Sequence, residues 1–372
     1  MSLSTSLGRP IATVRMHCSG QWQHSPWCIH IPTVLWTPVY YTGLLLALWT
    51  WKCLMMVVFQ NKIIYMPGVP PNARSERVAD YAHLCGGIRW SEERTRAADG
   101  TDIAMAVATI SLGNTKYLGG GKRAPAHAYV LCFHGNASSI PPRLPDLSWV
   151  LRAVSDSKTT NLPAMQLTFV CLSYRGYWTS RGRPSEKGFR LDAEAGVQWI
   201  AQQHESKYGG GKESPIPILL VWGQSIGSGV ATNLAATGRI PANLPIQGMI
   251  LETPFLNVRA MLETLYPQKW LPYRYLWPFL RNHLDSWENL GSIASASVEK
   301  KPFVYIMEAK RDELVPQEHT EKLFQSCLDL GLPVEKETVP FAYHTELIAR
   351  GDGKRTVSQA LVRLIRRALD SG

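Results

Sequence analysis

The chain has few cysteines and no arrangement of them that points to a function. Its seven, at positions 18, 28, 53, 85, 132, 171 and 327, are odd in number, scattered, and contain no C-x-x-C pair. That argues against a zinc site and gives no support to a disulfide framework. Cys132 and Cys171 sit inside apolar runs, where a buried free thiol is the simplest reading. Charge is also sparse, at 18% of residues against an apolar share of 45%. Such a chain is globular with some membrane character and too apolar to be disordered. Lys and Arg are spread along the chain and form no dense basic block, so the formal charge of +10 does not indicate nucleic-acid binding. A basic protein beside anionic headgroups gains electrostatic attraction, which suits a membrane resident. Phosphate loops are absent too. Gly119-Gly120-Gly121-Lys122 and Gly209-Gly210-Gly211-Lys212 lack the earlier glycine and the following Ser/Thr, and read as surface loop insertions.

One long hydrophobic run is present, from Val34 to Phe59, interrupted only by Lys52. As a helix, 26 such residues would span about 39 Å, more than the roughly 30 Å of a hydrocarbon core. Lys52 would cost about 3 kcal/mol at the bilayer centre, but near one end its stem can reach the headgroups. The run starts too late and is too long for the apolar region of a signal peptide. The expected organisation is a tail over 1–33, a transmembrane anchor over 34–59 and a catalytic domain over 60–372. A single-pass protein of an endomembrane, such as the endoplasmic reticulum, or of the plasma membrane follows. Arg9 and Arg15 before the run nearly balance Lys62, Arg74 and Arg77 after it, so orientation stays open.

Beyond a Pro/Gly-marked linker at Met66–Pro71, apolar runs alternate with polar, helix-compatible stretches. That pattern predicts a mostly parallel sheet with helices on both faces. Strands are expected at Ala128–Phe133, Leu167–Ser173, Ile218–Val221, Gly248–Leu251, Phe303–Met307 and Val334–Val339. A final helix from Arg355 to Leu369 carries Val357, Leu361, Leu364, Ile365 and Ala368 on one stripe.

The chemistry centres on Gly223-Gln224-Ser225-Ile226-Gly227, between the apolar run Ile218–Trp222 and a helix-like segment. Strand, G-x-S-x-G, helix is the context of a nucleophile elbow, in which the serine hydroxyl is exposed at a helix N-terminus. A serine needs a base, and the base an orienting carboxylate, in the chain order Ser, Asp or Glu, His. Asp312 follows the strand Phe303–Met307, and His344 follows the strand Val334–Val339. Glu308 is expected in the strand end and Glu313 to point elsewhere. His319 falls on a helix too close along the chain. The oxyanion hole should join the backbone N–H of Ile226 to one from the loop His134-Gly135-Asn136-Ala137-Ser138, with Asn136 as the donor. His134 is then structural. The one Asn-x-Ser/Thr sequon, at Asn136, lies in this same loop.

With these pieces in place the chain resembles the α/β-hydrolases that include abhydrolase domain-containing proteins twelve and thirteen and the fungal bud-emergence-type hydrolases. The resemblance runs from about Phe59 to the C-terminus. It rests on the stretch from Phe59 to Pro67, on His134-Gly135-Asn136-Ala137, on Tyr174 to Glu186, on the Gly223–Gly227 elbow and on Leu251-Glu252-Thr253-Pro254-Phe255. Trp178 departs from the family's usual glycine, enlarging a turn beside the site. The resemblance implies an α/β-hydrolase fold behind a membrane anchor and a serine hydrolase acting on acyl esters, often of lysophospholipids, with no metal or organic cofactor. The elbow is also similar to that of membrane-associated protein depalmitoylases, so a protein S-acyl thioesterase or peptidase with the same triad is the first alternative. A non-catalytic membrane scaffold in polarity or trafficking is the second. An excursion over 253–300, rich in aromatics from Trp270 to Trp287, reads equally as a lid suited to an acyl chain or as an ordinary excursion packed against the sheet.

Overall fold

The computed structural model describes residues 33–113, 126–137, 139–156, 162–209, 214–296 and 300–371. Two compact units divide the chain, 1–51 and 52–372. Helix α1, Thr33–Val58, carries the apolar run, and within it Trp36–Val58 has the length and composition to cross a membrane. In the first unit its side chains from Trp36 to Trp51 are exposed, with Trp49 half-buried.

The second unit is built on an eight-stranded sheet: β1 (Ser91–Arg96), β2 (Asp102–Leu112), β3 (Ala126–Phe133), β4 (Met165–Leu172), β5 (Ile216–Gln224), β6 (Ile246–Glu252), β7 (Phe303–Ala309) and β8 (Val334–Val339). Their order is β1-β2-β4-β3-β5-β6-β7-β8. The first two pairings are antiparallel and the rest parallel. All six expected strands are present. β1 and β2 were not expected. β1 reads Ser-Glu-Glu-Arg-Thr-Arg and is largely exposed at the sheet edge, where no apolar pattern betrays a strand.

Alternation along the strands feeds two cores. On β5, Ile218, Leu220 and Trp222 join one cluster and Leu219 and Val221 the other, because successive side chains leave opposite faces. The first core is covered by α4 (Leu144–Ser155) and the last helix α10 (Gly351–Ser371), whose predicted stripe from Val357 to Ala368 is buried in it. α5 (Glu186–Tyr208), α6 (Ile226–Thr237), α8 (Ser286–Ser295) and α9 (Gln317–Asp329) supply the second.

Short helices α2 (Gln60–Tyr65) and α3 (Val78–Tyr81) precede the sheet. The excursion at 253–300 holds α7 (Val258–Leu265), two single 3₁₀ turns and α8. Among its aromatics Tyr273 is buried, whereas Trp270, Tyr275, Trp277, Phe279 and Trp287 are exposed. Of the two Gly-rich stretches, 119–122 and 210–212 lie outside the described residues, and Gly209 ends α5 at φ +70°.

The expectation for Trp178 is corrected. It takes φ +40°, a conformation in which glycine is at ease. Its ring is fully buried in the first core, and its indole N–H donates to the Glu76 carbonyl at 2.8 Å. The side chain is thus part of the packing and does not stand in the turn as an obstruction.

Candidate active site

β5 ends at Gln224 and α6 begins at Ile226, so Ser225 alone makes the turn, at φ +52° and ψ −116°. A β-carbon on Gly223 would overlap the Gly227 carbonyl, and one on Gly227 would overlap that of Phe133. Only glycine fits at either position, which is why the motif brackets the serine with two. The turn is fixed by Ser225 N–H donating to the Glu252 carbonyl at 2.8 Å and by Ser228 Oγ–H donating to the Gly223 carbonyl at 2.8 Å.

The structure brings the three widely separated sequence candidates together. Ser225 Oγ lies 2.9 Å from His344 Nε2, and His344 Nδ1 lies 2.8 Å from Asp312 Oδ2. The other oxygen of Asp312 accepts the backbone N–H groups of Leu314 (3.0 Å) and Val315 (2.7 Å), which locks the carboxylate rotamer. Each rival has its own place. Glu308 is in β7 and accepts hydroxyl donors from Thr320 and Thr338, while His319 is buried on α9. Glu313 differs from expectation. It turns toward the site and accepts the His344 backbone N–H at 3.0 Å, so adjacent acids hold the ring and the main chain of one histidine.

The loop after β3 is tied down by Asn136. Its Nδ2 donates to the Ile64 carbonyl at 2.7 Å and its Oδ1 accepts the Ala137 N–H at 2.8 Å. That leaves its main-chain N–H, and not its side chain, for an oxyanion. Ile226 opens α6, where N–H groups have no partner within the helix and the dipole favours negative charge. His134 is buried, with Nδ1 2.7 Å from the Gly135 carbonyl, and burial pushes its pKa down to about 4, so it is neutral.

Sequence reasoning missed a polar chain behind the serine. Arg143 donates to Gln224 Oε1, and Gln224 Nε2 donates to Glu252 Oε1 at 2.9 Å. Trp222 Nε1 donates to Glu252 Oε2, also at 2.9 Å. Burial raises the Glu252 pKa, opposed by the Arg143 charge and these two donors. Glu252 therefore steadies the elbow through both its carbonyl and its carboxylate. Its members come from three distant segments, so no local motif could announce them.

Solved structures share this architecture. An α/β-hydrolase from Vibrio vulnificus superposes with a TM-score of 0.55 at 17% identity, covering 83% of this chain and 92% of its own. An esterase from Pyrococcus furiosus gives 0.51 at 17%, covering 77% and 92%. The fold is that of the α/β-hydrolases. Among curated proteins, the chain is 34% identical over 203 residues to lysophosphatidylserine lipase ABHD12 of Danio rerio, covering 54% of this chain and 47% of that one. It is 28% identical over 202 residues to protein bem46 of Schizosaccharomyces pombe, covering 53% and 56%. The chain thus spans about half the length of the curated relatives it matches. No family model matches it.

Proposed function

We propose that this chain is a membrane-anchored serine hydrolase that cleaves acyl esters, of lipid or lysophospholipid type, through an acyl-enzyme on Ser225. The observation that carries the proposal is the unbroken chain Ser225 Oγ, His344 Nε2, His344 Nδ1, Asp312 Oδ2, with links of 2.9 and 2.8 Å at an elbow glycines alone permit. Asp312 accepts the Nδ1 proton and so leaves Nε2 free to act as base. His344 takes the Ser225 proton as Oγ bonds to the ester carbon, and the oxyanion forms against the N–H groups of Ile226 and Asn136. The C–O bond to the leaving alcohol then breaks as the imidazolium returns the proton to it. Water attacks the acyl-enzyme by the same route, releasing the acid and restoring the serine hydroxyl. The lipid assignment draws support from the name of the lysophosphatidylserine lipase relative and from the apolar helix α1.

A fluorophosphonate probe should label the wild type at Ser225, and a panel of lysophospholipids in detergent should yield free fatty acid. Ser225→Ala or His344→Ala should each lower turnover by about three to six orders of magnitude, with the double variant scarcely worse, since the residues act as one unit. Losses that multiply, or an active Ser225→Ala variant, would overturn the assignment.

A further inference from the structure

The second unit carries a large apolar surface that the proposed chemistry does not use. Phe59, Leu265, Trp270, Tyr275, Trp277 and Phe279 are between 40% and 67% exposed. Scattered surface apolar residues are ordinary, but aromatics gathered on one face mark a contact. These are gathered. The Phe279 carbonyl accepts Gln60 Nε2 at 3.1 Å, and the Arg281 guanidinium donates to the carbonyls of Val57 and Val58, each at 3.1 Å. Arg281 N–H donates to Gln60 Oε1 at 2.7 Å. Met56, Val57 and Ile63 line an apolar crevice together with Leu276 and Phe279. Residues 258–281 are therefore fastened to the end of α1, and wherever that end sits in a bilayer the segment sits at a similar depth.

The charge on this surface is mainly positive. Residues 258–281 contain Arg259, Lys269, Arg274 and Arg281 against the single acid Glu263, four minus one, net +3. Residues 52–65 add Lys52 and Lys62 with no Asp or Glu. Several of these cations lie over aromatic faces. Arg259 is 3.9 Å from the Trp277 ring centre, and Lys52 is 4.3 Å from that of Tyr273. Tryptophan and tyrosine among arginine and lysine is the composition of the membrane–water boundary, where rings sit at headgroup level and cations meet lipid phosphates and carboxylates. Each cation near an anionic leaflet adds to the electrostatic attraction.

We infer that residues 258–281 and the adjoining α2 form a second membrane contact, lying against a bilayer rich in anionic lipid beside the end of α1. The inference rests on the membrane reading of α1 proposed above. α2 also reaches the active-site loop, since its Ile64 carbonyl accepts Asn136 Nδ2. The contact therefore holds the oxyanion loop close to the lipid surface.

The test uses the full chain in lipid nanodiscs, with a phosphatidylcholine analogue carrying a diazirine near its glycerol. Discs of phosphatidylcholine alone are compared with discs containing phosphatidylserine, and the labelled residues are mapped by mass spectrometry. Label should fall on 36–58 in both discs, and on 265–281 several-fold more strongly with phosphatidylserine. Lys269→Glu with Arg274→Glu should remove that increase without changing the melting temperature. Label confined to 36–58 in both discs would overturn the second contact while leaving the anchor standing, and would mean that another occupant, such as a protein, covers the patch. Label on 265–281 indifferent to lipid charge and to the double substitution would overturn the anionic assignment. An unlabelled 36–58 would overturn the membrane reading, and this inference with it.

Discussion

Replacing Asp312 by Asn separates orientation of the proposed base from every other feature of the site. The backbone N–H groups of Leu314 and Val315 both point at Asp312 Oδ1, at 3.0 and 2.7 Å. An asparagine amide must present its oxygen to these two donors, so its NH₂ falls where Oδ2 now faces His344 Nδ1 at 2.8 Å. Nδ1 then becomes the acceptor and Nε2 carries the proton. A protonated Nε2 donates to Ser225 Oγ and cannot take its proton. The geometry survives while the tautomer is inverted. The expected loss in kcat is about 10⁴-fold, equivalent to about 5.4 kcal/mol of transition-state stabilisation at about 1.36 kcal/mol per decade. Both backbone donors keep their acceptor, so the melting temperature should fall by no more than about 3 °C. The assay is p-nitrophenyl ester hydrolysis at neutral pH, with fluorophosphonate labelling rate as a second readout. Both should fall together. Less than a tenfold loss in both, with the fold intact, would refute the role given to Asp312.

Three further outcomes are expected. Arg175 binds Asp192 through Nη2 at 2.8 Å and Asp99 through Nη1 at 2.7 Å, and burial pushes the Asp192 pKa up to about 6 despite that partner. Arg175→Ala should cost about 3–5 kcal/mol of stability by leaving a buried carboxylate unpaired, and adding Asp192→Asn should recover part of it in denaturant titrations. Burial holds His127 at about 3 and His134 at about 4, both below the ordinary 6.5. Below pH 6.5 the unfolded chain therefore binds protons that the native state refuses. The stability from these residues is complete above pH 6.5 and declines as pH falls toward 4 and 3, by roughly 1.4 kcal/mol per unit for each. Melting temperatures across pH 4 to 7 should show this decline, and His127→Gln should flatten it. Finally, the full chain should stay with membranes through alkaline carbonate extraction, and its quantitative release would rule out a spanning α1.

Much of the architecture was legible because its signals are local. Buried parallel strands such as Val130–Phe133 and Leu219–Trp222 are continuous apolar runs, and the glycine that opens the elbow is required by sterics within five residues. β1 escaped because an exposed edge strand of charged and polar residues looks like a loop. β2 escaped because its alanines carry little strand preference. At the site, Ser225, Asp312 and His344 could be proposed from their order relative to strands. The inward turn of Glu313 and the Arg143–Gln224–Glu252 chain could not, since they depend on how separate segments meet in space. Trp178 was misjudged because sequence alone does not show which way a large ring leaves a left-handed turn.

The separation of 119 positions from Ser225 to His344 also has a consequence in time. A ribosome adds about 5–20 residues per second, so the nucleophile emerges about 6–24 s before its base. During that interval β6, β7 and β8 are still being made. The growing chain holds Ser225 without the histidine that, on the proposed mechanism, would activate it. On that mechanism hydrolysis begins only when the last third of the domain has closed onto the sheet, and esters around an unfinished chain are spared.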